Sequence, residues 1–533
     1  MTDTTALTDT FSTDATGLPT TQPSEVLELA DGDTFDLRIG AVANEVGNDV
    51  LRMLAYNRSI PGPTLRVRQG SEITVHVQND GDVEATVHWH GLRLENRYDG
   101  VPHETQQPVP VGGDFTYKLR FPDEGLYWYH PHIREDYAME LGLYGNLIVD
   151  PSDPHCWPPV DREIVVTLDD LLVVQGRIAP FHRAGPSHTA MGRFGNVMLT
   201  GGQTNLALDA QAGQVVRFYL TNTANTRIFD VGIPSARMKL VGGDSGRYEH
   251  EEFVDHVLLA PSERAIVDVL FDAEGSFPIE HRTPDQTYVL GGVTVRGHAT
   301  RRTGTIEFER LRTYGALTVE RTRLTSDRER PPDKTLTFRS KMPLLYGSDN
   351  TVAAAWTCPM HAEIVRSSAG VCPLCGMKLV PAGEEVAAVH EHHTDAGDGL
   401  EWEDLMPEIN AQTDACNMIW SIVDEDTGGA NGDIDWSFRV GDRVKIRLVN
   451  TMDSDHPMHH PFHIHGAGRF LVLSRDGVVE ANLVWKDTVL VRSGETVEIV
   501  LDVSNRGQWM AHCHIAEHMQ DGMMFSFSVY ESA

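Results

Sequence analysis

One short pattern occurs three times along the chain, and it constrains the fold more than any other feature. The copies are GSEITVHVQN (70–79), GQVVRFYLTN (213–222) and GDRVKIRLVN (441–450). Each begins with glycine, carries apolar residues at alternate positions and ends with asparagine. Alternation of period two indicates a half-buried β-strand with a turn at each end. A widely spaced repeat of this kind predicts three similar β-domains.

The spacing of the copies predicts the domain organisation. The second interval is longer than the first, which indicates an insertion before the third copy. We predict a flexible N-terminal segment and three β-domains, the third with an insertion at about 352–395. The boundaries are 1–23 for the flexible segment, then 24–155, 156–330 and 331–533 for the domains.

Charge and targeting signals limit the partners of the protein. The 44 basic and 77 acidic residues give a formal net charge of −33, which argues against nucleic acid and anionic membranes as partners. No stretch is long and apolar enough for a transmembrane helix. The N-terminus lacks the basic and apolar regions of an export signal, so the protein is cytoplasmic as written, or periplasmic or extracellular if a signal was removed.

Four histidine motifs indicate metal binding. Residues two apart on a strand project from the same face. His88 and His90 of HWHG can therefore converge on one metal site, and His130 and His132 of YWYHPH can do the same. One such pair is weak evidence, because a single histidine is more often a core or turn residue, but four motifs together favour a metal cluster.

The two C-terminal motifs, HPFHIHG and HCHIAEHMQDGM, are divided between two sites by the same rule. Cys513 and His460 lie on the opposite strand faces from their histidine neighbours, and His518 in the following turn completes a strong ligand set. A thiolate and two imidazoles, with Met523 as a weak axial thioether, are typical of an electron-transfer copper. The remaining imidazoles suit a cluster of about three coppers: His88, His90, His130, His132, His463, His465, His512 and His514.

This arrangement favours a particular reaction. Cys513 would bind one metal while its covalent neighbours bind another, which gives a short path for electrons. A metal cluster could collect single electrons that enter at Cys513 and deliver four of them to one substrate. The four-electron reaction that fits is the reduction of dioxygen to water.

The quoted motifs resemble those of the multicopper oxidase family, which includes laccases and bacterial cuprous oxidases, and the resemblance runs from about Thr34 to Tyr530. It implies an all-β fold of three cupredoxin-like Greek-key β-barrels with the cluster between the first and third. It also implies four copper ions, one type 1, one type 2 and two type 3. By this resemblance, His88 and His463 would hold the type 2 copper, and the type 3 pair would take His90, His130, His132, His465, His512 and His514.

Two positions bear on proton supply. Asp99 matches an aspartate that family members place near the cluster, where a carboxylate can relay protons. Its alternative role is that of a turn residue before Gly100. The residue after the last copper-binding histidine is acidic in the most similar bacterial relatives, but here it is Met519, so the usual second relay is in doubt.

The insertion carries its own ligand pattern, TCPMHAEIVRSSAGVCPLCGMKLVP. Cys358, His361, Cys372 and Cys375 form two knuckles of the kind that close around zinc. The segment also resembles a small heavy-metal-binding module of bacterial copper and silver efflux components. Its neighbours Met360 and Met377 suit Cu(I), so zinc, captured Cu(I) and a metal-free loop all stay open. The nearby His390, His392 and His393 could extend the site or lie in an acidic linker.

We therefore predict a multicopper oxidase that takes single electrons from small reductants and reduces dioxygen. An axial methionine favours a modest potential and hence easily oxidised donors, namely phenols and Cu(I). The alternatives are a copper-sequestering or copper-resistance protein whose main role is cuprous oxidation, and a copper nitrite reductase, which would not need YWYHPH. Oligomeric state is left open, with a monomer as the simplest expectation.

Overall fold

The three repeated segments form equivalent strands in three sheets. The computed structural model describes residues 9–299, 303–346, 355–359, 361, 363–374, 377–382 and 397–532. In each sheet the repeat strand pairs in parallel with an earlier strand and antiparallel with a later one. The three segments therefore have the same place in three related β-structures.

Buried asparagines explain why the pattern ends as it does. The amides of Asn79, Asn222 and Asn450 each donate to two backbone carbonyls, at 2.7 to 3.3 Å. Each amide thus ties the strand end to the following segments and satisfies carbonyls that have left the ladder. The glycine before each strand has a positive φ, which an L-residue with a side chain rarely adopts. These glycines are Gly70 (φ +90°), Gly213 (φ +89°) and Gly441 (φ +97°).

The first β-domain consists of a four-stranded sheet in the order β3-β2-β5-β7 and a five-stranded sheet in the order β1-β4-β9-β8-β6. One short helix, α1, precedes its last strand. The elements are β1 (Val26–Glu28), β2 (Thr34–Val46), β3 (Asp49–Tyr56), β4 (Gly62–Arg68), β5 (Glu72–Asp80), β6 (His88–His90), β7 (Asp114–Arg120), β8 (Gly125–His130), α1 (Glu135–Glu140) and β9 (Gly145–Asp150).

The middle β-domain has a six-stranded sheet, β13-β10-β15-β20-β17-β18, and a five-stranded sheet, β14-β22-β21-β16-β19. Two helices follow it. The elements are β10 (Arg162–Leu171), β11 (Val173–Val174), β12 (Arg177–Ile178), β13 (Val197–Thr200), β14 (Leu206–Ala212), β15 (Val215–Asn222), β16 (Phe229–Gly232), β17 (Arg237–Gly243), β18 (Gly246–Val254), β19 (His256–Leu259), β20 (Arg264–Leu270), β21 (Gly275–Arg282), β22 (Thr287–His298), α2 (Thr303–Phe308) and α3 (Gly315–Glu329).

The third β-domain pairs a six-stranded sheet, β27-β23-β29-β34-β31-β32, with a five-stranded sheet, β28-β36-β35-β30-β33. The inserted segment forms a separate small sheet, β25-β24-β26. The elements are β23 (Lys334–Lys341), α4 (Pro343–Tyr346), β24 (Trp356–Thr357), β25 (Val365–Arg366), β26 (Val380–Pro381), α5 (Pro407–Asn410), β27 (Ile419–Asp424), β28 (Ser437–Arg439), β29 (Arg443–Asn450), β30 (His460–Ile464), β31 (Gly468–Arg475), β32 (Val478–Val479), β33 (Thr488–Val491), β34 (Thr496–Val503), β35 (Gly507–Cys513), α6 (Ala516–Gln520) and β36 (Met524–Tyr530).

These paired sheets confirm the all-β fold with three cupredoxin-like domains and an insertion in the third. The exact domain boundaries stay predictions. None of the helices in the described residues is long and apolar enough to span a bilayer.

Part of the predicted flexible N-terminal segment is packed against the body. Phe11 is buried and stacks on Tyr137 with ring centroids 3.9 Å apart. Its backbone N–H also donates to the carbonyl of Phe181 at 3.0 Å. Burial of its ring and this backbone hydrogen bond hold Phe11 in place. The flexibility of segment 1–23 as a whole stays a prediction. Residues 1–8 lie outside the described residues.

Candidate metal centres

Two antiparallel strand pairs bring the histidines of separate motifs together. In the first domain β6 pairs with β8, so that His88 lies opposite His130. In the third domain β30 pairs with β35, so that His463 lies opposite His512. Because side chains alternate across a strand, each pairing places histidines on one face of its sheet. All eight predicted cluster histidines are buried.

The two faces meet between the first and third domains. There, the ring nitrogens form three-membered groups in which all ligand atoms lie within 4.8 Å of one another. Three of these groups include histidines from both domains. The groups are His88, His90 and His463; His90, His130 and His514; and His132, His465 and His512.

Each of these rings has one nitrogen that points away from the cluster, and the hydrogen bonds of these outer nitrogens fix the orientation of the rings. Nδ1 of His88 donates to the Asp99 carbonyl at 2.6 Å, and Nδ1 of His463 donates to the Asp487 carbonyl at 2.9 Å. His90 is reversed, because its Nε2 donates to the Asp487 carboxylate at 2.9 Å. Within the described residues the opposite nitrogens of these three rings have no hydrogen-bond partner. A metal-binding histidine commonly donates its other N–H in this way, so the inner nitrogens are the ones poised to bind.

The facing Nε2 atoms of His465 and His512 also indicate a metal-binding position. Nδ1 of His465 donates to Asp99 and Nδ1 of His512 donates to the Cys513 carbonyl, both at 2.8 Å. In the neutral rings both Nε2 atoms then lack a proton, yet they lie 3.1 Å apart. A cation between the two lone pairs would turn this repulsive contact into an attractive one. The donor set therefore fits copper.

Burial sets the protonation state of the cluster. It lowers the pKa of His88 to about 4 and that of His465 to about 3. The pKa values of the other six cluster imidazoles also lie well below the usual range, chiefly because of burial. The rings are thus neutral at pH 7, which is the form that binds metal.

Asp99 connects the two sides of the cluster. Its carboxylate accepts from His465 of the third domain, and its backbone carbonyl accepts from His88 of the first. It is also the residue that ends a short 3-10 turn, so its predicted turn role and its contact with the cluster occur together. Burial raises the pKa of its carboxyl to about 6, although His88 acts in the opposite direction.

The predicted thiolate site is assembled at the end of β35. Sγ of Cys513 lies 3.4 Å from Nδ1 of His460 and 3.8 Å from Nδ1 of His518. Met523 is buried in the same hydrophobic cluster, and its carbonyl accepts from the Cys513 N–H at 3.2 Å. Burial raises the pKa of the thiol well above its usual range, so a bound cation is needed to favour the thiolate.

The insertion gathers three of its four predicted ligands. Nδ1 of His361 lies 3.7 Å from Sγ of Cys358 and 3.5 Å from Sγ of Cys372, and all three residues are buried. The hydrogen bond with Cys358 raises the pKa of His361 to about 9. The fourth ligand, Cys375, lies outside the described residues, as do Met360, His390, His392 and His393.

Sequence patterns did not reveal two buried carboxylates beside the cluster. Asp487 directly precedes β33 and contacts His90, as described above. Glu135 begins α1, and its Oε1 lies 3.4 Å from Nδ1 of His132. Glu135 of the first domain therefore places a carboxylate beside the cluster. Met519, at the position where the resemblance implies an acidic residue, is buried and apolar. Only their distance in sequence from the histidine motifs could have indicated these two carboxylates, and many other acidic residues lie at similar distances.

Paired β-sheets, a cluster of neutral imidazoles and a separate thiolate site define a copper protein of the cupredoxin class. Residues 42–154 and 406–533 both match sequence models described as multicopper oxidase. Residues 355–382 match a model described as heavy metal binding domain. The chain belongs to the multicopper oxidase family and carries a heavy-metal-binding domain inserted between the two matched segments.

Full-length relatives agree with this assignment. The chain is 24% identical to a copper resistance protein A homolog of Pseudomonas syringae pv. tomato, over 94% of this chain and 93% of the relative. It is 26% identical to multicopper oxidase MmcO of Mycobacterium tuberculosis, over 90% and 83% of the two chains.

Solved structures show the same fold. A multi-copper oxidase from Pseudomonas thermotolerans superposes with a TM-score of 0.64 at 23% identity, covering 95% of this chain and 100% of that one. A Campylobacter jejuni multicopper oxidase, described as a metallo-oxidase, has a TM-score of 0.65 at 20% identity, covering 98% and 99% of the two chains.

Proposed function

We propose that this protein is a multicopper oxidase that oxidises small donors one electron at a time and reduces dioxygen to water. The type 1 copper would be held by His460, Cys513, His518 and Met523, and the type 2 copper by His88 and His463. The remaining six histidines would hold the type 3 pair: His90, His130, His132, His465, His512 and His514. Copper bound by the thiolate site would accept single electrons, and copper bound by the cluster histidines would pass four of them to dioxygen.

The observation that carries the proposal is the continuity of one backbone stretch through both sites. His512 and His514 contribute to the cluster groups, while Cys513 between them belongs to the thiolate group. Two peptide bonds thus connect the sites without any intervening solvent, since all three residues are buried. Such close adjacency suits electron transfer from the thiolate site to the cluster. Metal binding at either site alone would not require it.

Asp99 is the proposed proton-relay residue. Oxygen reduction to two waters consumes four protons, which a fully buried cluster must obtain through the protein. The Asp99 carboxylate is buried and contacts His465, so it is placed within reach of the cluster.

Access to the thiolate site favours a small donor. The rings of His460 and His518 are buried, and Trp420 stacks on His518 with centroids 4.1 Å apart. An organic ring cannot touch either imidazole without displacing this cover. Phenols remain candidate donors through electron transfer across Trp420. A metal ion, however, needs far less space than an aromatic ring to approach the thiolate site.

A contact from the insertion supports Cu(I) as a donor. Sδ of Met377 lies 3.4 Å from Nδ1 of His456, and both residues are buried. Met377 belongs to the hydrophobic cluster that contains Cys513, and His456 acts electrostatically on His460 and His518. The rings of His456 and Trp420 are 6.0 Å apart, and Trp420 covers His518. Soft thioether and thiolate ligands select Cu(I), so the inserted domain would capture Cu(I) and present it at this contact. Four Cu(I) ions would be oxidised to Cu(II) for each dioxygen and four protons converted to two waters.

A structural zinc in the insertion is the competing assignment for its metal. Turnover of Cu(I) and of a substituted phenol, measured on one copper-loaded sample, tests the donor proposal. A clear preference for Cu(I) is expected, whereas phenol turnover without Cu(I) turnover would refute it. Metal analysis of the full chain loaded with both metals adds a second check, because zinc at the insertion would argue against capture of Cu(I).

A further inference from the structure

The middle domain supplies a buried cation to the histidine cluster. Arg264 begins β20, and its guanidinium donates to both carboxylate oxygens of Asp487 in the third domain, at 2.7 and 2.6 Å. Both residues are buried. A paired, planar contact of this kind fixes the carboxylate in position and orientation more firmly than a single hydrogen bond.

The partner carboxylate contacts two predicted copper ligands. Asp487 Oδ1 accepts from Nε2 of His90 at 2.9 Å, and the Asp487 backbone carbonyl accepts from Nδ1 of His463 at 2.9 Å. These two bonds leave Nδ1 of His90 and Nε2 of His463 as the inner nitrogens. Arg264 thus acts on both rings through one residue.

The same guanidinium also binds the first domain. Its Nε donates to the carbonyl of Leu126 on β8, the strand that ends at His130. Its Nη1 donates to the carbonyl of Ser262 at 3.0 Å in addition to Asp487. One side chain of the middle domain therefore holds the first and third domains at the place where their histidines meet.

A glycine in the HWHG motif accommodates this ion pair. A Cβ on Gly91 would clash with Oδ2 of Asp487 and would lie 3.0 Å from Nη2 of Arg264. The φ of Gly91 is +84°, so the backbone conformation also favours glycine. The chain thus turns tightly after His90 and leaves room for the pair.

We propose that Arg264 is a positioning residue for the cluster, which fixes the rings of His90 and His463 through Asp487. The inference rests on the proposed function only in taking these histidines as copper ligands. It gives the middle domain, which has no histidine motif of its own, a direct role in assembling the type 2 and type 3 sites.

The test replaces Arg264 with lysine in the full chain and measures copper binding at each site separately. Lysine keeps the charge but cannot make the paired contact. Loss of such an outer contact commonly weakens metal affinity by about 10- to 100-fold. We therefore expect a loss of that order at the cluster, seen in chelator competition and in a reduced or altered type 2 electron paramagnetic resonance signal. The intense visible absorption of the thiolate site should be kept.

A matched control comes from the same sheet. Arg217 on β15 is equally buried and makes the same paired contact with Asp268, at 2.7 and 2.9 Å, while its other hydrogen bond goes to Pro158. Arg217→Lys should leave cluster copper and its spectrum unchanged. Gly91→Ala, which disturbs the Arg264–Asp487 pair without removing a charge, should reproduce the selective loss and serves if Arg264→Lys does not fold.

Three results would overturn the proposal. One is wild-type copper affinity and type 2 signal in Arg264→Lys, or in Gly91→Ala when only that variant folds. Another is equal loss of cluster copper in Arg217→Lys. The third is equal loss of thiolate-site absorption and cluster copper in Arg264→Lys. If the histidines bind no copper even in the wild-type chain, the proposed function itself fails, which distinguishes the two failures.

Discussion

The Asp99 carboxylate accepts a 2.8 Å hydrogen bond from Nδ1 of His465, and this bond crosses from the first β-domain to the third. The Asp99 backbone also holds His88. One residue therefore fixes an imidazole on each side of the cluster, and its carboxyl is the proposed carrier of protons.

Asp99→Asn should separate these two roles. The asparagine oxygen can still accept from His465, so the ring stays oriented, but the amide cannot carry a proton. We expect oxygen reduction to slow by about 100-fold or more, a typical value for loss of general acid catalysis. Reduction of the thiolate-site copper by donor should stay nearly unchanged. Stopped-flow measurements of the two half-reactions check this, and equal slowing of both would exclude the relay role.

Cys513→Ser should give a folded but inactive protein without strong visible absorption. Only the thiolate is lost, and the histidine groups remain buried and preorganised. Copper analysis should therefore still find cluster copper. Cys156→Ser is the matched control, because Cys156 is a buried cysteine outside the metal groups described above and should leave colour and activity intact. Retained visible absorption in Cys513→Ser would mean that the thiolate site is elsewhere.

Serine at Cys358, Cys372 and Cys375 should raise the apparent KM for Cu(I) and spare phenol turnover. Capture of the ion is lost, while the thiolate site and cluster are unchanged. Steady-state kinetics with both donors provide the check. A structural zinc predicts another pattern, since metal loss would unfold the insertion and affect both donors together, or neither if the insertion is remote.

Met377→Leu tests the contact between the insertion and the thiolate site more narrowly. A methionine-to-leucine change in a core usually costs less than about 1.5 kcal/mol, so the fold should survive. Loss of the thioether beside His456 should raise the KM for Cu(I) several-fold without changing phenol turnover. Met418→Leu, in the same hydrophobic cluster, is the control. The same change in Cu(I) kinetics in both variants would show that packing, and not the sulfur, is responsible.

His281 gives a prediction for pH-dependent stability. Burial, reinforced by Arg227, lowers the pKa of this middle-domain histidine to about 3 from an ordinary value of 6.5. The unfolded chain takes up the proton first, so this stabilising contribution is complete above pH 6.5 and is lost as the pH falls towards 3. Between pH 6.5 and 5 the wild-type protein should lose about 2 kcal/mol through this residue.

The measurement compares His281→Phe with wild-type protein by urea unfolding at pH 7.5 and pH 5. At pH 7.5 the variant should be less stable, because the Asp230 N–H loses its acceptor. The difference should shrink by about 2 kcal/mol at pH 5. A difference independent of pH would contradict the assignment of a buried neutral histidine.

Local patterns were enough to predict the strands and the faces of their residues. Alternation placed Cys513 opposite His512 and His514, and the structure finds them in separate metal groups. The repeat motif predicted three equivalent strands for the same reason, since a period of two directly reflects strand geometry.

Contacts between distant segments could not be predicted in this way. Arg264 and Asp487 are far apart in the sequence and belong to different domains, so no local spacing connects them. Glu135 is only three residues from His132, but no pattern in the sequence shows that its carboxyl is buried beside the imidazole. Phe11 likewise lies in a polar segment and becomes buried only through Tyr137. Tertiary packing alone determines these positions.

The stoichiometry of Cu(I) oxidation and oxygen consumption by the copper-loaded enzyme tests the proposed reaction. An oxygen electrode and a spectrophotometric assay for Cu(I) would be read together under saturating dioxygen. The proposed four-electron reaction oxidises four Cu(I) ions for each dioxygen consumed and releases no hydrogen peroxide. Two ions per dioxygen with accumulation of peroxide, or Cu(I) binding without oxygen consumption, would contradict it.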